Sequence, residues 1–206
     1  MVEVLPAISG LKQACLDVRK TMPMSKPVQL TGKERFFSDD DIIVSKTDLK
    51  GRITYANQVF LEIADYTEKE VLCQPHSLIR HPAMPRSVFK LMWGTIESGQ
   101  EIFAYVINRT KHGDHYWVYA HVTPSFDGSG KVIGYHSNRR VPNRDIVEEH
   151  IVPLYRMLRE EEARHQNRKD GMLAGEQMIL NMLAQKGIGY DEFIATVGEA
   201  RRRGFR

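Results

Sequence analysis

Residues 101–140 read "EIFAYVINRT KHGD HYWVYAHVTPSF DGSG KVIGYHSNRR". Two turn-forming tetrapeptides divide three runs rich in aromatic and β-branched residues, the pattern of a three-stranded antiparallel meander. Asp127-Gly128 and Gly130 give the second turn its hairpin chemistry. Side chains alternate along a strand, so Ile102, Ala104, Val106 and Asn108 share one face. An amide ending an apolar row needs a hydrogen-bond partner. Asn108 reads either as a satisfied core amide or as a group that meets a ligand.

Upstream, "DIIVSKTD", "LKGR" and "ITYANQVF" read as a hairpin leading into a helix, with Gly51 supplying the positive φ of the turn. Asn57 heads that helix and reads equally as an N-cap or as a second binding amide. Val59, Phe60 and Ile63 fall on one helical face, and Thr67 with Glu70 forms a capping-box pattern for the next short helix. The stretch "SLIRHPAMPRSVF", residues 77–89, then sets Arg80, His81 and two prolines at the mouth of an amphipathic helix. Pro85 suits that helix's first turn and Gly99 its end. Two strands, several short helices and three further strands predict an α+β architecture, a five-stranded antiparallel sheet with helices on one side.

This central domain covers residues 40–141. Residues 1–39 are expected to hold a helix from about Ile8 to Met22, with Leu11, Ala14, Cys15 and Val18 at helical spacing, and a linker. Residues 142–206 read as a helical extension whose apolar stripe includes Ile146, Ile151, Leu154, Met157 and Leu158. The stripes are too brief for a long coiled coil and suit a helical hairpin or bundle. They need cover, from the central domain or from a second copy of the chain, and a homodimer through the terminal helices is expected.

Composition excludes several classes. The 206 residues carry a net charge of +3, much of it from the terminal "RRRGFR", while the main body mixes both signs. A nucleic-acid surface would gather its basic residues on one face. Cys15 and Cys73 stand in no CxxC or CxxCH arrangement, which argues against structural zinc, attached c-type haem and a disulfide framework. The longest apolar runs are strand-sized, and the N-terminus lacks the pattern of a signal peptide. A cytoplasmic protein without a membrane span is expected. No GxSxG, Walker loop, HExxH or paired-carboxylate pattern occurs, so no enzymatic activity is expected.

The candidate binding residues have complementary chemistry. An amide both donates and accepts, so Asn57 and Asn108 could read the alternating edge of a heteroaromatic ring. A guanidinium such as Arg80 suits a phosphate or a ring carbonyl, and the indole of Trp93 suits a flat aromatic partner. Trp93 at core spacing also reads as plain core, and His81 before Pro82 as a turn residue.

With these residues assembled, residues from about Asp41 to Arg140 resemble a PAS domain, and most closely the flavin-binding PAS module of bacterial aerotaxis receptors. "SKTDLKGRITYANQVFLEIADYT", "QPHSLIRHPAMP", "FKLMWGTIESG" and "NRTKHGDHYWVYAHVTP" carry the likeness. The resemblance implies a pocket for FAD between the sheet's inner face and the helices. It makes Asn57, Arg80, His81, Trp93 and Asn108 ligand-contacting, with Phe89 lining the pocket. Ala83 stands where the family usually has an acidic residue, and Ile102 where it often has tryptophan, so a charge partner and a stacking surface are missing. The implied function is a redox or oxygen sensor that signals through its flanking helices or an unidentified partner. Two alternatives are a haem sensor with His81 or another helix histidine as axial ligand and a ligand-free dimerisation module. A light-driven cysteinyl adduct is not expected, because no cysteine immediately precedes Arg80.

Overall fold

The computed structural model describes residues 28–198. The expected N-terminal helix lies outside them. Five strands form one antiparallel sheet in the order β2-β1-β5-β4-β3: β1 Ile43–Thr47, β2 Ile53–Ala56, β3 Ile102–Arg109, β4 His115–Phe126 and β5 Val132–Arg140. The meander read from residues 101–140 is present, with Asn108 opposite Tyr116 and Ser137 opposite Ser45.

Between β2 and β3 the chain crosses the sheet as α1 (Gln58–Ala64), α2 (Glu68–Val71), a 3₁₀ turn over His76–Ile79 and α3 (Arg86–Glu97). Local chemistry starts each helix. The Asn57 carboxamide oxygen accepts the Phe60 N–H at the head of α1. The Thr67 N–H donates to Glu70 in the box that opens α2. Phe60, Ile63, Ile79, Met84, Val88 and Ile96 bring the apolar faces of these segments into the core.

β3 departs from a half-solvated strand: Tyr105 and Ile107 on its outer face are as buried as Ala104 and Val106 on its inner face. The C-terminal extension supplies the cover. A short helical turn, Arg144–Ile146, passes through a π-helical turn at Val147–Ile151 into α4 (Val152–Ala163). α5 (Arg168–Lys186) and α6 (Tyr190–Thr196) follow. The Tyr155 hydroxyl donates to the Tyr105 carbonyl, and the Trp117 and Tyr155 rings lie 6.1 Å apart. α6 packs on β3, while α5 packs on both α3 and α4.

Tyr155, Leu158, Ile179 and Leu183 are buried within the chain. The C-terminal stripe therefore finds most of its cover in its own domain. Each large apolar side chain so buried contributes about 1.5–3 kcal/mol, well above the few tenths from a surface charge pair. Gly175 permits this close packing, since a Cβ there would lie 2.8 Å from the Ser87 hydroxyl on α3.

Candidate functional site

A cavity of about 580 Å³ opens between the inner face of the sheet and α3. Of the six residues singled out by sequence, Arg80, Phe89, Trp93 and Asn108 line it. The Pro82–Pro85 segment folds into a turn closed by the Met84 N–H donating to the His81 carbonyl at 3.1 Å. That turn brings the Arg80 backbone into a bridge with Asn108. The Arg80 guanidinium lies 4.2 Å above the Phe89 ring and donates to the Met84 carbonyl at 3.3 Å. Trp93 stands edge-on to Tyr135, with ring centres 5.5 Å apart. Gly51 has φ +70°, and a Cβ there would sit 2.9 Å from the indole, so glycine serves both the turn and the tryptophan.

Asn57 and His81 stand elsewhere. The Asn57 amide accepts the Val44 N–H at 2.9 Å and donates to the Ile42 carbonyl at 2.7 Å, besides capping α1. All its bonding is internal, joining β1 to α1. The His81 Nδ1 accepts the Ala83 N–H at 3.1 Å, and its ring packs beside His115. Neither residue lines the cavity, and His81 is not placed to ligate a haem iron in it. Burial, with the nearby His115, Arg159 and Arg109, lowers the His81 pKa to about 4.

The sheet contributes three residues that the sequence reading missed. Ser45, Ser137 and Arg139 line the cavity together with His76. Arg139 is only 4% exposed, and its Nη2 donates to the Ser45 hydroxyl at 2.8 Å and to His76 Nε2 at 2.7 Å. A guanidinium can only donate, so Nε2 is the unprotonated ring nitrogen and His76 is neutral. Burial and the Arg139 charge hold the His76 pKa down to about 3. Burial also lowers that of Arg139, to about 10. Among the described residues no carboxylate pairs with Arg139. A buried cation without a counter-ion is costly to fold.

Among the described residues, four buried side-chain polar atoms have no partner: Arg139 Nη1, Asn108 Nδ2, Ser137 Oγ and Tyr116 Oη. The first three belong to cavity-lining residues. Arg139 Nη1 and Asn108 Nδ2 can only donate, whereas the serine hydroxyl can donate or accept. The remaining wall is largely apolar, through Met92, Trp93, Ile96, Val106, Ala120 and Val122. An acceptor-bearing edge on a flat apolar body would match both halves of this lining. The signal available in sequence was strand parity, which puts Tyr135, Ser137 and Arg139 on one face of β5.

Residues 53–139 match the family model described as the PAS fold. The chain is 40% identical over 136 residues to the aerotaxis receptor of Escherichia coli (strain K12), a match covering 66% of this chain and 26% of the receptor. It is 29% identical over 99 residues to the nitrogen fixation regulatory protein of Klebsiella pneumoniae, covering 48% of this chain and 20% of that relative. The chain thus spans about a quarter or less of these relatives' lengths. A solved structure of the blue-light photoreceptor Aureochrome1 LOV in its light state aligns with a TM-score of 0.48 and 21% identity, over 53% of this chain and 88% of that one. The five-stranded sheet with its crossing helices is a PAS fold: residues 53–139 belong to a PAS domain, and over 136 residues the chain is similar to an aerotaxis receptor.

Proposed function

We propose that the cavity binds a flavin, FAD in particular, and that the chain is a redox or oxygen sensor of the aerotaxis type rather than an enzyme. The observation that carries this reading is that three unpartnered polar atoms belong to Asn108, Ser137 and Arg139, all lining one hollow together with a broad apolar wall. The pyrimidine edge of an isoalloxazine offers carbonyl and ring-nitrogen acceptors to such donors, and its benzenoid part suits Trp93 and the aliphatic wall. When bound, the flavin supplies reversible electron uptake, which makes that edge more electron-rich.

The chain's own residues turn that change into a mechanical one. Arg139 carries a fixed positive charge at the cavity floor and is held by Ser45 and His76, so it favours the electron-rich form of whatever it touches. Phe89, Trp93 and Met92 on α3 form the opposite wall. α3 is tied at its N-terminus to Glu162 of α4, so a displacement of α3 bears directly on the C-terminal helices. Those helices would pass the signal to a partner or across a homodimer, whose existence light scattering tests.

The freshly purified protein tests the flavin reading. The expected result is a yellow protein with flavin absorption bands that bleach on anaerobic reduction and return in air. A colourless protein that takes up no added FAD, FMN or riboflavin overturns it.

A further inference from the structure

A second cavity, of about 560 Å³, adjoins the first at the turn before α3. The two share Ser77, Arg80 and Arg86 in their walls. Its far side comes from the C-terminal extension, through Arg159 on α4 and Arg168 at the start of α5. Four arginines therefore border one hollow at the mouth of the other. None of them takes part in an ion pair among the described residues, although six lysine or arginine pairs with carboxylates are formed elsewhere.

The one acidic residue in this wall is already engaged. Glu162 Oε2 accepts the Arg86 N–H at 3.1 Å, and Oε1 accepts the Ser87 N–H and hydroxyl at 2.8 Å each. Arg159 stands three residues before Glu162, a spacing that favours a helical ion pair, yet no such pair forms. Arg168 sits in the first turn of a helix, where the macrodipole disfavours a cation. The Arg80 pKa is lowered by burial and by its neighbour Arg86, which together outweigh the opposing charge of Glu162. Positive charge is thus concentrated here against local electrostatic preference. Fork-shaped guanidinium donors in such a cluster match phosphate oxygens.

We propose that this second cavity takes the diphosphate-bearing half of the cofactor, so that Arg159 and Arg168 of the extension complete the site begun by Arg80 and Arg86. This rests on the flavin reading of the first cavity and deepens it. The hollow is far larger than one phosphate needs, and a dinucleotide running out of the ring cavity past Arg80 enters it directly. The chain then selects FAD over FMN, and the C-terminal helices belong to the cofactor site as well as to the fold.

The test uses the full chain stripped of bound ligand and titrated with FAD, FMN and riboflavin, following flavin fluorescence. FAD should bind at least tenfold more tightly than FMN, and added ADP should compete with FAD. The R159A/R168A double variant should lose most of the preference for FAD and the competition by ADP, while riboflavin affinity stays unchanged. Both arginines are exposed, so thermal unfolding of the variant should match the parent. Equal affinity for FAD and FMN overturns the inference and leaves the flavin reading standing. So does an unchanged preference in the variant, or ADP that binds without displacing FAD. If none of the three flavins binds, both readings fall.

Discussion

Glu162 caps Ser87. One carboxylate oxygen on α4 accepts both the backbone N–H and the hydroxyl of a residue seventy-five positions earlier, at 2.8 Å each, while the other oxygen takes the Arg86 N–H. Glu162 is 8% exposed, so this is a buried tie between the helix that walls the cavity and the helix that leaves the domain. Replacing it leaves buried donors unsatisfied. Glu162→Ala should lower the unfolding free energy by about 1–3 kcal/mol. Amide exchange along α4 should rise with it. Unaltered exchange in α4 would mean that the tie does not couple the two helices.

Arg139 gives a prediction with two opposite signs. Its charge is buried without a counter-ion, so Arg139→Met should leave the ligand-free protein as stable as the parent or more so. Flavin affinity should fall by about 10–100-fold, the range expected for losing a charge-assisted hydrogen bond. The midpoint potential of any bound flavin should become more negative. Thermal unfolding, fluorescence titration and spectroelectrochemistry read the three effects. A variant that binds flavin normally at an unchanged potential would place Arg139 outside the sensing site.

His76 should make stability depend on pH. Its pKa is about 3 in the fold against 6.5 when free, so below pH 6.5 the unfolded chain gains a proton that the fold refuses. Stability therefore falls as pH drops through this window and is level above it, by about 2 kcal/mol from His76 alone at pH 5. His81, lowered to about 4, acts with the same sign. The Glu70 pKa is lowered to about 2 from 4.5, so its contribution changes below the interval from pH 5 to 6.5. Over that interval His76→Gln should reduce the slope of denaturant stability against pH, and an unchanged slope would contradict the buried, neutral histidine.

Asn57 separates a structural amide from a binding one. Its bonds to Ile42, Val44 and Phe60 fasten the sheet to the first helix. Asn57→Ala should cost about 1–2 kcal/mol of stability and leave flavin affinity and spectrum as in the parent. A selective loss of flavin from a variant of normal stability would return Asn57 to the site.

The sequence carried much of this arrangement, for definite reasons. Period-two alternation and the glycine turns marked all three meander strands, and the capping residues marked the starts of α1 and α2. Arg80 was legible because it stood at an unusual turn and Asn108 because it ended an apolar row, Trp93 through the chemistry of its indole, and Phe89 only through the family resemblance. Asn57 was ambiguous because capping and ligand recognition use the same amide. Arg139 escaped notice because a basic residue near a strand end ordinarily reads as solvated. Only the register of β5 against β1 puts it beside Ser45 and His76. The covering of β3 was also readable in principle, since Phe103, Tyr105 and Ile107 make its outer face apolar as well. What covers it depends on contacts between residues some fifty positions apart, such as Tyr155 with Tyr105.

Met172 of α5 reaches the wall of the ring cavity. The binding chamber is therefore not the property of the sheet and its crossing helices alone. A chain shortened after residue 143 would keep every strand, yet its chamber would stand breached on one side. Chamber and helical tail share a boundary, so any displacement of α5 reshapes the chamber's wall.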